Sequence, residues 1–325
     1  MFSILKKKSI VWSSTIIAGL GITFIIKDSV QGERFKKSIV VDGKVFIVTG
    51  ANTGIGKETA KNLAKRRGIV YLACRDLHKC EAARKEIILA TRNKNVFCRE
   101  LDLASFSSIR SFVKRFKSEQ NRLDVLINNA GVMRIPQKLV TQEGFEMQIG
   151  TNHLGHFLLT NLLLDYLKAS APSRIVTVSS IAHTRGEIDT ADFNSDKNYD
   201  PKKAYEMSKL CNVLFTRQLA KKLEGTGVTS NCCHPGIVDT ELMRHMGIVN
   251  SFFGKIFVYP FLWIFTKKAE AGAQTVLFCV LEPALKNITG EYFADCKKSE
   301  MADQAKDDQM AEWLWRLSEK WCRLA

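Results

Sequence analysis

Acidic residues are scarce in this sequence: 33 Asp and Glu accompany 48 Lys and Arg, which leaves a net charge of +15 over 325 residues. Such an excess has three usual causes: binding to nucleic acid, contact with an anionic membrane, or attraction of a polyanionic cofactor. The sequence also lacks zinc-finger spacing, heptads behind a basic run, and basic residues interleaved with aromatic ones. These absences argue against nucleic acid as a partner, so we expect a membrane or an anionic cofactor.

No two cysteines have the C-x-x-C spacing, and their number, nine, is odd. Several lie within apolar runs, as in "VTSNCCHPG". This pattern predicts buried, reduced thiols rather than a disulfide framework or a zinc site. His153 and His156 are three residues apart, but no third ligand follows at a suitable spacing. Their neighbours are apolar, so we expect a packed helix there and no metal.

Charged residues are absent from Ser9 to Ile26, a run of 18 residues with basic residues on both flanks. A membrane-spanning helix needs about 17–25 mostly apolar residues, so this run is at the short end of the range. It is either a membrane anchor or a secretory signal peptide. No small-x-small cleavage site precedes the next basic segment, and reduced cysteines argue against secretion, so we favour an anchor. The basic flanks leave its orientation open, and the run either spans the bilayer or lies at its surface.

The remaining sequence lacks repeats and low-complexity tracts, and strand-like and helix-like segments alternate along it. The strands, such as "KVFIVTG" and "LDVLINNAG", are continuous apolar runs, as expected when helices cover both faces of a parallel sheet. We therefore predict an α/β fold: a single Rossmann-like, doubly wound parallel sheet of about seven strands with helices on both faces. The predicted divisions are an anchor and polar linker over residues 1–42, the α/β domain over 43–300 and a helical tail over 301–325.

Three glycines, Gly50, Gly54 and Gly56, lie between the first predicted strand and the helix after it. Glycine lets the chain turn sharply and lets a phosphate approach the backbone at the helix N-terminus, where free N–H groups and the helix dipole favour anions. The spacing is G-x-x-x-G-x-G rather than the commoner G-x-G-x-x-G. The strand–turn–helix context is nevertheless the one that a dinucleotide site requires.

Four motifs follow one another at the predicted strand ends: "TGANTGIG", "NNAG" at Asn128–Gly131, "AYEMSK" with Tyr205 and Lys209, and "HPG" at His234–Gly236. In this order they resemble the short-chain dehydrogenase/reductase family, over nearly all of residues 44–295. Within that family, "LACRD", "TNHLGHFLLTNLLL" and "SRIVTVSSIAH" are similar to the retinol dehydrogenase 11-to-14 group.

The resemblance implies a dinucleotide cofactor that is held by the glycine turn and by the ends of several strands. The cofactor contacts that we expect are Gly50, Asn52, Thr53, Gly54, Ile55, Gly56, Arg75, Asp102, Leu103, Asn128, Ala130, Gly131, Tyr205, Lys209, Pro235, Gly236, Ile237 and Thr240.

Tyr205 and Lys209 are four residues apart on a predicted helix and hence on one face of it. A phenol titrates near pH 10, and a neighbouring ammonium is expected to lower that pKa, as acid–base catalysis requires. A Tyr–Lys pair on a protein surface can have the same spacing, so the spacing alone does not indicate catalysis. The catalytic interpretation depends on the family context. By resemblance, Tyr205 exchanges a proton with a substrate oxygen, Ser180 hydrogen-bonds that oxygen, Lys209 also holds the nicotinamide ribose, and Asn152 completes a proton relay.

Ser180 precedes Tyr205 by 25 residues, about twice the usual spacing in the family. The intervening piece is polar and rich in turn residues, so we expect a surface insertion that leaves the site in place. The retinol dehydrogenase group carries a similar insertion. Ser179 is expected to be the structural neighbour of the catalytic serine.

The second predicted strand ends at "YLACRD", where dinucleotide sites usually have an acidic residue that binds a ribose hydroxyl. Here Cys74 offers no such acceptor, and the planar cation of Arg75 suits a 2′-phosphate. We therefore expect NADP(H), with Lys57 as a second positive charge. If Asp76 turned inward, NAD would be expected instead. The position of Asp76 at a helix start favours capping.

Smaller roles are expected for residues at other strand ends. Asp102 is placed to contact the adenine end of the cofactor or to cap the next helix. Asn128 is expected to tie neighbouring strands together beneath the cofactor, and Thr240 is expected to contact the nicotinamide amide.

The aromatic block from Phe252 to Phe265 lies where the family builds a substrate lid. The lid, over about 240–268, would suit a long lipophilic substrate. Packing in the core is the alternative for that block.

The resemblance, taken with these features, implies a membrane-anchored NADP(H)-dependent oxidoreductase that interconverts retinol and retinal, with reduction of all-trans-retinal favoured. Other lipid aldehydes or steroids are the alternative substrates, and a non-catalytic NADP-binding scaffold or sensor is the alternative of a different class. The resemblance favours the mitochondrial inner membrane, with the endoplasmic reticulum membrane as the alternative. The oligomeric state is left open.

Overall fold

A computed structural model of the chain describes residues 23, 25–242 and 259–324. Eight strands form one sheet in the order β3-β2-β1-β4-β5-β6-β7-β8, in which all pairs are parallel except β7 with β8. This confirms the predicted doubly wound parallel sheet. The strands are β1 Val45–Thr49, β2 Ile69–Cys74, β3 Val96–Glu100, β4 Val125–Asn128, β5 Ser173–Val178, β6 Val228–His234, β7 Tyr292–Ala294 and β8 Lys297–Lys298.

Helices cover both faces of the sheet, because the strands are apolar on both sides; every residue of β1, for example, is buried. The side chains of α1, α2 and α7 pack into one apolar cluster, and those of α3, α4, α5 and α8 pack into clusters on the other side. The helices are α1 Gly54–Lys65, α2 Leu77–Thr91, α3 Phe106–Glu119, α4 Gly155–Ala169, α5 Pro201–Lys222, α6 Tyr259–Phe265, α7 Ala269–Leu281 and α8 Asp308–Trp321.

The eighth strand was not predicted. Asp295 and Cys296 connect β7 to β8 with φ values of 46° and 55°, in the left-handed region that a tight hairpin turn uses. Such turns usually carry Gly or Asn, so this dipeptide gave no hairpin signal. Near the C-terminus, Leu314 of α8 is buried, and Leu317 and Trp321 pack beside it.

One expectation about the cysteines is wrong. Cys80, in the first turn of α2, and Cys98, on β3, form a disulfide with Cα atoms 5.9 Å apart. The connection between α2 and β3 brings the two residues together, although they are 18 positions apart in sequence and in no recognisable motif. The other seven cysteines are free thiols, and all except Cys296 are buried.

The predicted polar linker packs against the α/β domain. A helical segment over residues 25–31 places the buried ammonium of Lys27 against the carbonyl oxygens of Trp263 and Thr266, at the C-terminal end of α6. Gln31 Oε1 accepts a hydrogen bond of 2.9 Å from the backbone N of Lys268. A cation at the end of a helix satisfies carbonyl groups that have no partner within the helix.

The segment that follows β6 pairs with the segment that precedes α7. Val238 and Lys267 form a parallel bridge, and Lys267 N donates to Ile237 O at 2.7 Å. Residues 243–258 of the predicted lid lie outside the described residues, as does most of the predicted anchor. Within the described part of the chain, no helix has both the length and the apolar character needed to cross a membrane.

Candidate active site

A cavity of about 310 Å³ opens at the carboxyl ends of the central strands, the position at which doubly wound sheets bind ligands. Most of the residues predicted from the sequence line it. These are Gly50, Asn52, Thr53, Gly54, Ile55, Gly56, Arg75, Asp102, Leu103, Ala130, Gly131, Ser180, Tyr205, Lys209, Pro235, Gly236 and Thr240.

The glycine turn brings backbone close to the cavity floor. Gly50 and Gly54 have φ values of 65° and 56°, which side chains other than glycine rarely adopt. A Cβ on Gly56 would lie 2.5 Å from Asn129 Nδ2 and from Gly50 O, so no side chain fits there. Thr53 caps α1 without a side-chain hydrogen bond, and no acidic residue lies in the first turn. The helix N-terminus therefore fits the pyrophosphate of a dinucleotide.

Two basic side chains line the part of the cavity next to β2. Arg75 and Lys79 are exposed, and no ion pair involving either is found among the described residues. Asp76 caps α2 by accepting a 3.0 Å hydrogen bond from Lys79 N, which confirms the capping interpretation. Lys57 is not the second cation, because it pairs with Glu86 on α2. Lys79, one turn into α2, takes that position instead.

Asp102 lines the cavity but does not cap the following helix. Its Oδ1 accepts a 3.0 Å hydrogen bond from Ala104 N, and Ser105 is the N-cap of α3. The capping expectation for Asp102 is therefore wrong. The chain makes an extra turn after β3 before α3 begins, and this turn places the carboxylate at the cavity.

Asn128 does not line the cavity, and its predicted strand-tying role is wrong. Its Nδ2 donates to Thr160 Oγ1 of α4 at 3.0 Å. Successive side chains point to opposite faces of a strand, so the next residue does the tying. Asn129 Nδ2 donates to Thr49 O at 2.8 Å, which connects β4 to β1. Ile237 is 59% exposed and also lies outside the cavity lining.

Ser180, Tyr205 and Lys209 meet at the wall of the cavity formed by β5 and α5. The Ser180 hydroxyl lies near enough to the phenol of Tyr205 to favour its ionised form. Lys209 Nζ donates to Val178 O at 3.2 Å and lies 5.7 Å from the centre of the Tyr205 ring. Ser179 Oγ donates to Lys209 O at 2.8 Å, so Ser179 supports the cluster from behind.

Burial dominates the titration of this cluster. It raises the pKa of Tyr205 to about 12, although the nearby Ser180 hydroxyl and the charge of Arg134 act in the opposite direction. It lowers the pKa of Lys209 to about 8. The expectation that Lys209 brings the phenol pKa below its usual value is therefore wrong for this structure. At neutral pH the phenol keeps its proton.

Asn152 lies behind the cavity, in a π-helical turn over Gly150–Leu154. Its Oδ1 accepts from Val132 N at 2.8 Å, and its Nδ2 donates to Val132 O and to Ser208 Oγ, both at 2.9 Å. A Cβ on Gly131 would lie 3.2 Å from Asn152 Oδ1 and 3.6 Å from Lys209 Nζ. Asn152 therefore adjoins the cluster without contacting the open cavity. π-Helical turns are frequent at functional sites.

His153 and His156 make contacts in the core. The Nε2 atom of His153 lies 2.9 Å from Ser318 Oγ, and that of His156 lies 2.9 Å from Thr49 Oγ1. The described residues contain no group of three or more His, Cys, Asp or Glu side chains that could hold a metal ion.

Several lining residues were missed by the sequence reasoning. Asn129, the second residue of "NNAG", and His234, the first of "HPG", were inside recognised motifs, so motif position could have identified them. The others carry no local signal because tertiary packing alone places them. The missed residues include Lys79, Asn129, Val132, Thr151, Val178 and His234.

Residues 44–248 match the family model described as short chain dehydrogenase. Among curated proteins, human Retinol dehydrogenase 13 is 50% identical over 296 residues, which cover 91% of this chain and 89% of that protein. Human Retinol dehydrogenase 12 is 49% identical over 293 residues, 90% of each chain.

Solved structures share the fold. An uncharacterised protein from Mycobacterium paratuberculosis has a TM-score of 0.71 and 35% identity, over 90% of this chain and 98% of that one. Pseudomonas aeruginosa RhlG, in a complex with NADP, has a TM-score of 0.62 and 23% identity, over 78% and 95% of the two chains. At that identity the likeness to RhlG concerns the fold alone.

Stability is expected to fall as the pH is lowered from about 6.5 to about 4. Burial lowers the pKa values of His153, His156 and His234 to about 3, 4 and 4. Unfolded histidine titrates near pH 6.5, so in this window the unfolded chain binds protons that the folded chain does not. Urea denaturation at several pH values in this window measures how steeply the free energy of unfolding changes with pH. His156→Gln should reduce this slope. The control His78→Gln, at an exposed histidine, should not; equal slopes for the two variants would contradict the assignment.

Proposed function

This chain belongs to the short-chain dehydrogenase family, and from that premise we propose that it is a membrane-anchored, NADP(H)-dependent oxidoreductase that interconverts retinol and retinal. Reduction of all-trans-retinal is the proposed direction. The observation that carries the proposal is the cluster of Ser180 with the buried side chains of Tyr205 and Lys209 at the wall of the cleft. The 50% identity to human Retinol dehydrogenase 13 supports a retinoid substrate.

When bound, the cofactor supplies or accepts the hydride. In this proposal the amides of the glycine turn bind the pyrophosphate, Asp102 and Leu103 contact the adenine end, and Lys209 holds the nicotinamide ribose. The nicotinamide end is bound by the segment after β6. The residues assigned there are Pro235, Gly236 and Thr240, which line the cavity.

The residues of the cluster perform the proton chemistry. Tyr205 donates its proton to the carbonyl oxygen of the substrate, while the Ser180 hydroxyl donates a hydrogen bond to the same oxygen as charge develops. A phenol whose pKa is raised to about 12 is protonated at neutral pH, which is the form that a reduction consumes. Lys209 and Asn152 complete the relay that returns a proton to Tyr205.

The proposed architecture places catalysis in residues 43–300, with the tail over 301–325 as part of the same packed unit. An anchor within residues 1–42 would hold the enzyme at a membrane, from which a lipophilic substrate reaches a lid over about 240–268. We propose the mitochondrial inner membrane, with the endoplasmic reticulum membrane as the alternative.

A fluorescent fusion of the full chain, imaged beside markers of both membranes, is expected to overlap the mitochondrial marker. The control fusion lacks residues 1–26 and should lose that overlap, because the uncharged run is the proposed anchor. Overlap with the reticulum marker alone would overturn the assignment.

Replacing Tyr205 by Phe should remove the proton donor without emptying the space that the ring fills. All-trans-retinal reduction is expected to fall at least about 100-fold, while NADPH binding is retained. Turnover is followed by NADPH absorbance and binding by calorimetry. The control Tyr166→Phe removes a hydroxyl that bonds Lys117 O on the far side of α4, so it should leave turnover unchanged.

Retained turnover in Tyr205→Phe would contradict the mechanism. A wild-type enzyme that reduces medium-chain aldehydes or steroids but not retinal would shift the substrate class. NADPH binding without turnover of any carbonyl compound would favour a scaffold or sensor.

Arg75→Glu should move the cofactor preference from NADPH toward NADH. The variant replaces a cation with a carboxylate that repels a 2′-phosphate and accepts hydrogen bonds from a free ribose. The ratio of kcat/KM for NADPH to that for NADH measures the change, and a drop of about tenfold or more is expected. Lys85→Glu is the control, because it makes the same charge change at an exposed site of α2 outside the cavity. An equal drop in both variants would mean that overall charge, not Arg75, sets the preference.

A further inference from the structure

The backbone that carries Ser180 is held by two histidines. The chain leaves β5 and enters a 3₁₀ turn over Ile181–Arg185. His183 Nδ1 lies 2.7 Å from Ser180 O, and His234 Nδ1 accepts a 3.2 Å hydrogen bond from Ile181 N. His183 has no exposed surface. A catalytic serine on a loop needs such supports, because a loop by itself does not fix a hydroxyl to the required precision.

The hydrogen bonds of His183 determine which ring nitrogen carries its proton. The backbone N–H of Ala302 points to His183 Nε2 at 3.2 Å and can only donate. Nε2 is therefore the acceptor, and Nδ1 carries the proton and donates it to Ser180 O. Burial lowers the pKa of His183, which keeps the ring in this neutral form. The ring also packs 4.7 Å from the ring of Tyr292 on β7.

Ala302 belongs to the segment that begins the C-terminal tail, and a second residue of this segment also bonds the 3₁₀ turn. Gln304 Nε2 donates to Thr184 O at 2.9 Å and contacts the carbonyl oxygens of His183 and Gly186 at 3.4 and 3.3 Å. After this segment, α8 packs on α5, the helix that carries Tyr205 and Lys209. The tail therefore contacts both the serine loop and the helix of the cluster.

We propose that His183 is a positioning residue for catalysis: through its Nδ1–H bond to Ser180 O and its Nε2 bond to Ala302 N, it fixes the serine loop against the C-terminal tail. The proposal rests on the proposed function, because Ser180 acts on the substrate oxygen only if the chain is a carbonyl reductase. His183 itself is outside the cavity lining and touches neither substrate nor cofactor sites.

Three substitutions at His183 separate its two hydrogen bonds. His183→Asn puts an amide N–H near the position of Nδ1, so it keeps the bond to Ser180 O and loses the one to Ala302 N. His183→Gln reaches the position of Nε2, so it keeps the second bond and loses the first. His183→Phe keeps the ring against Tyr292 and loses both. The control Thr184→Val removes the 2.8 Å bond from Thr184 Oγ1 to Ile181 O in the same turn.

In steady-state reduction of all-trans-retinal, variants that keep the hydrogen bond to Ser180 O are expected to be faster than variants that lose it. kcat should fall about tenfold or more in His183→Phe and His183→Gln, and by less than about threefold in His183→Asn and Thr184→Val, since small displacements of a catalytic group have large effects on rate. KM for NADPH should stay within about twofold in all of them, because none lines the cofactor cavity. Melting temperatures show whether kcat simply follows stability.

Equal kcat for His183→Asn and His183→Gln, or a ranking that follows melting temperature, would overturn the proposal. If His183→Phe does not fold, the comparison of Asn with Gln still decides. If the wild-type enzyme reduces no carbonyl compound, the proposed function fails and hydrogen exchange tests the positioning role alone. The Ala182 amide bonds Ser180 Oγ at 3.2 Å, so it should lose protection in His183→Gln and keep it in His183→Asn. Equal protection in the two variants would again overturn the proposal.

Discussion

The junction between the ends of β1 and β4 is the contact on which the rest of the site depends. The Thr49 hydroxyl, which has no exposed surface, accepts hydrogen bonds of 2.9 Å from both Asn129 N and Ala130 N, and it lies 2.9 Å from His156 Nε2. Each buried amide left without such a partner would cost about 1–3 kcal/mol. Since this hydroxyl draws β4 against β1, the glycine turn passes directly over Asn129, and Gly56 has no room for a side chain. His156 extends the same network, because its Nδ1 lies 3.0 Å from Asn152 O in the π-helical turn.

Burial acts on the two ionisable groups of the cluster in opposite directions. It raises the pKa of Tyr205 and lowers that of Lys209, because a low-dielectric surrounding disfavours the charged form of each. The tyrosine thereby keeps its proton at neutral pH, and the lysine, with a pKa of about 8, titrates close to neutral pH. The hydroxyl of Ser180 is the partner that moderates the shift of the phenol.

The parts of this fold that were predictable from sequence are those set by short-range pattern. Continuous apolar runs identified the parallel strands, and the glycine turn and the four-residue spacing of Tyr205 and Lys209 identified the cleft. Where two similar residues lie near the cavity, the sequence did not predict which of them lines it. Lys57 and Lys79 are both basic and both near the turn, and only the rotation of their helices sends one to Glu86 and the other to the cavity. The direction of the Tyr205 pKa and the meeting of Cys80 with Cys98 likewise depend on tertiary packing that no local pattern encodes.

The pairing of Val238 with Lys267 has an evolutionary consequence. This bridge joins two residues that are far apart in sequence, beside Pro235 and Gly236 of the cleft. Because the entropy of closing a chain segment changes only slowly with the length of the segment, the bridge tolerates changes in the number of residues between its two ends. Related genes can therefore diverge in that stretch of sequence while the two bridged residues keep their positions beside the cleft.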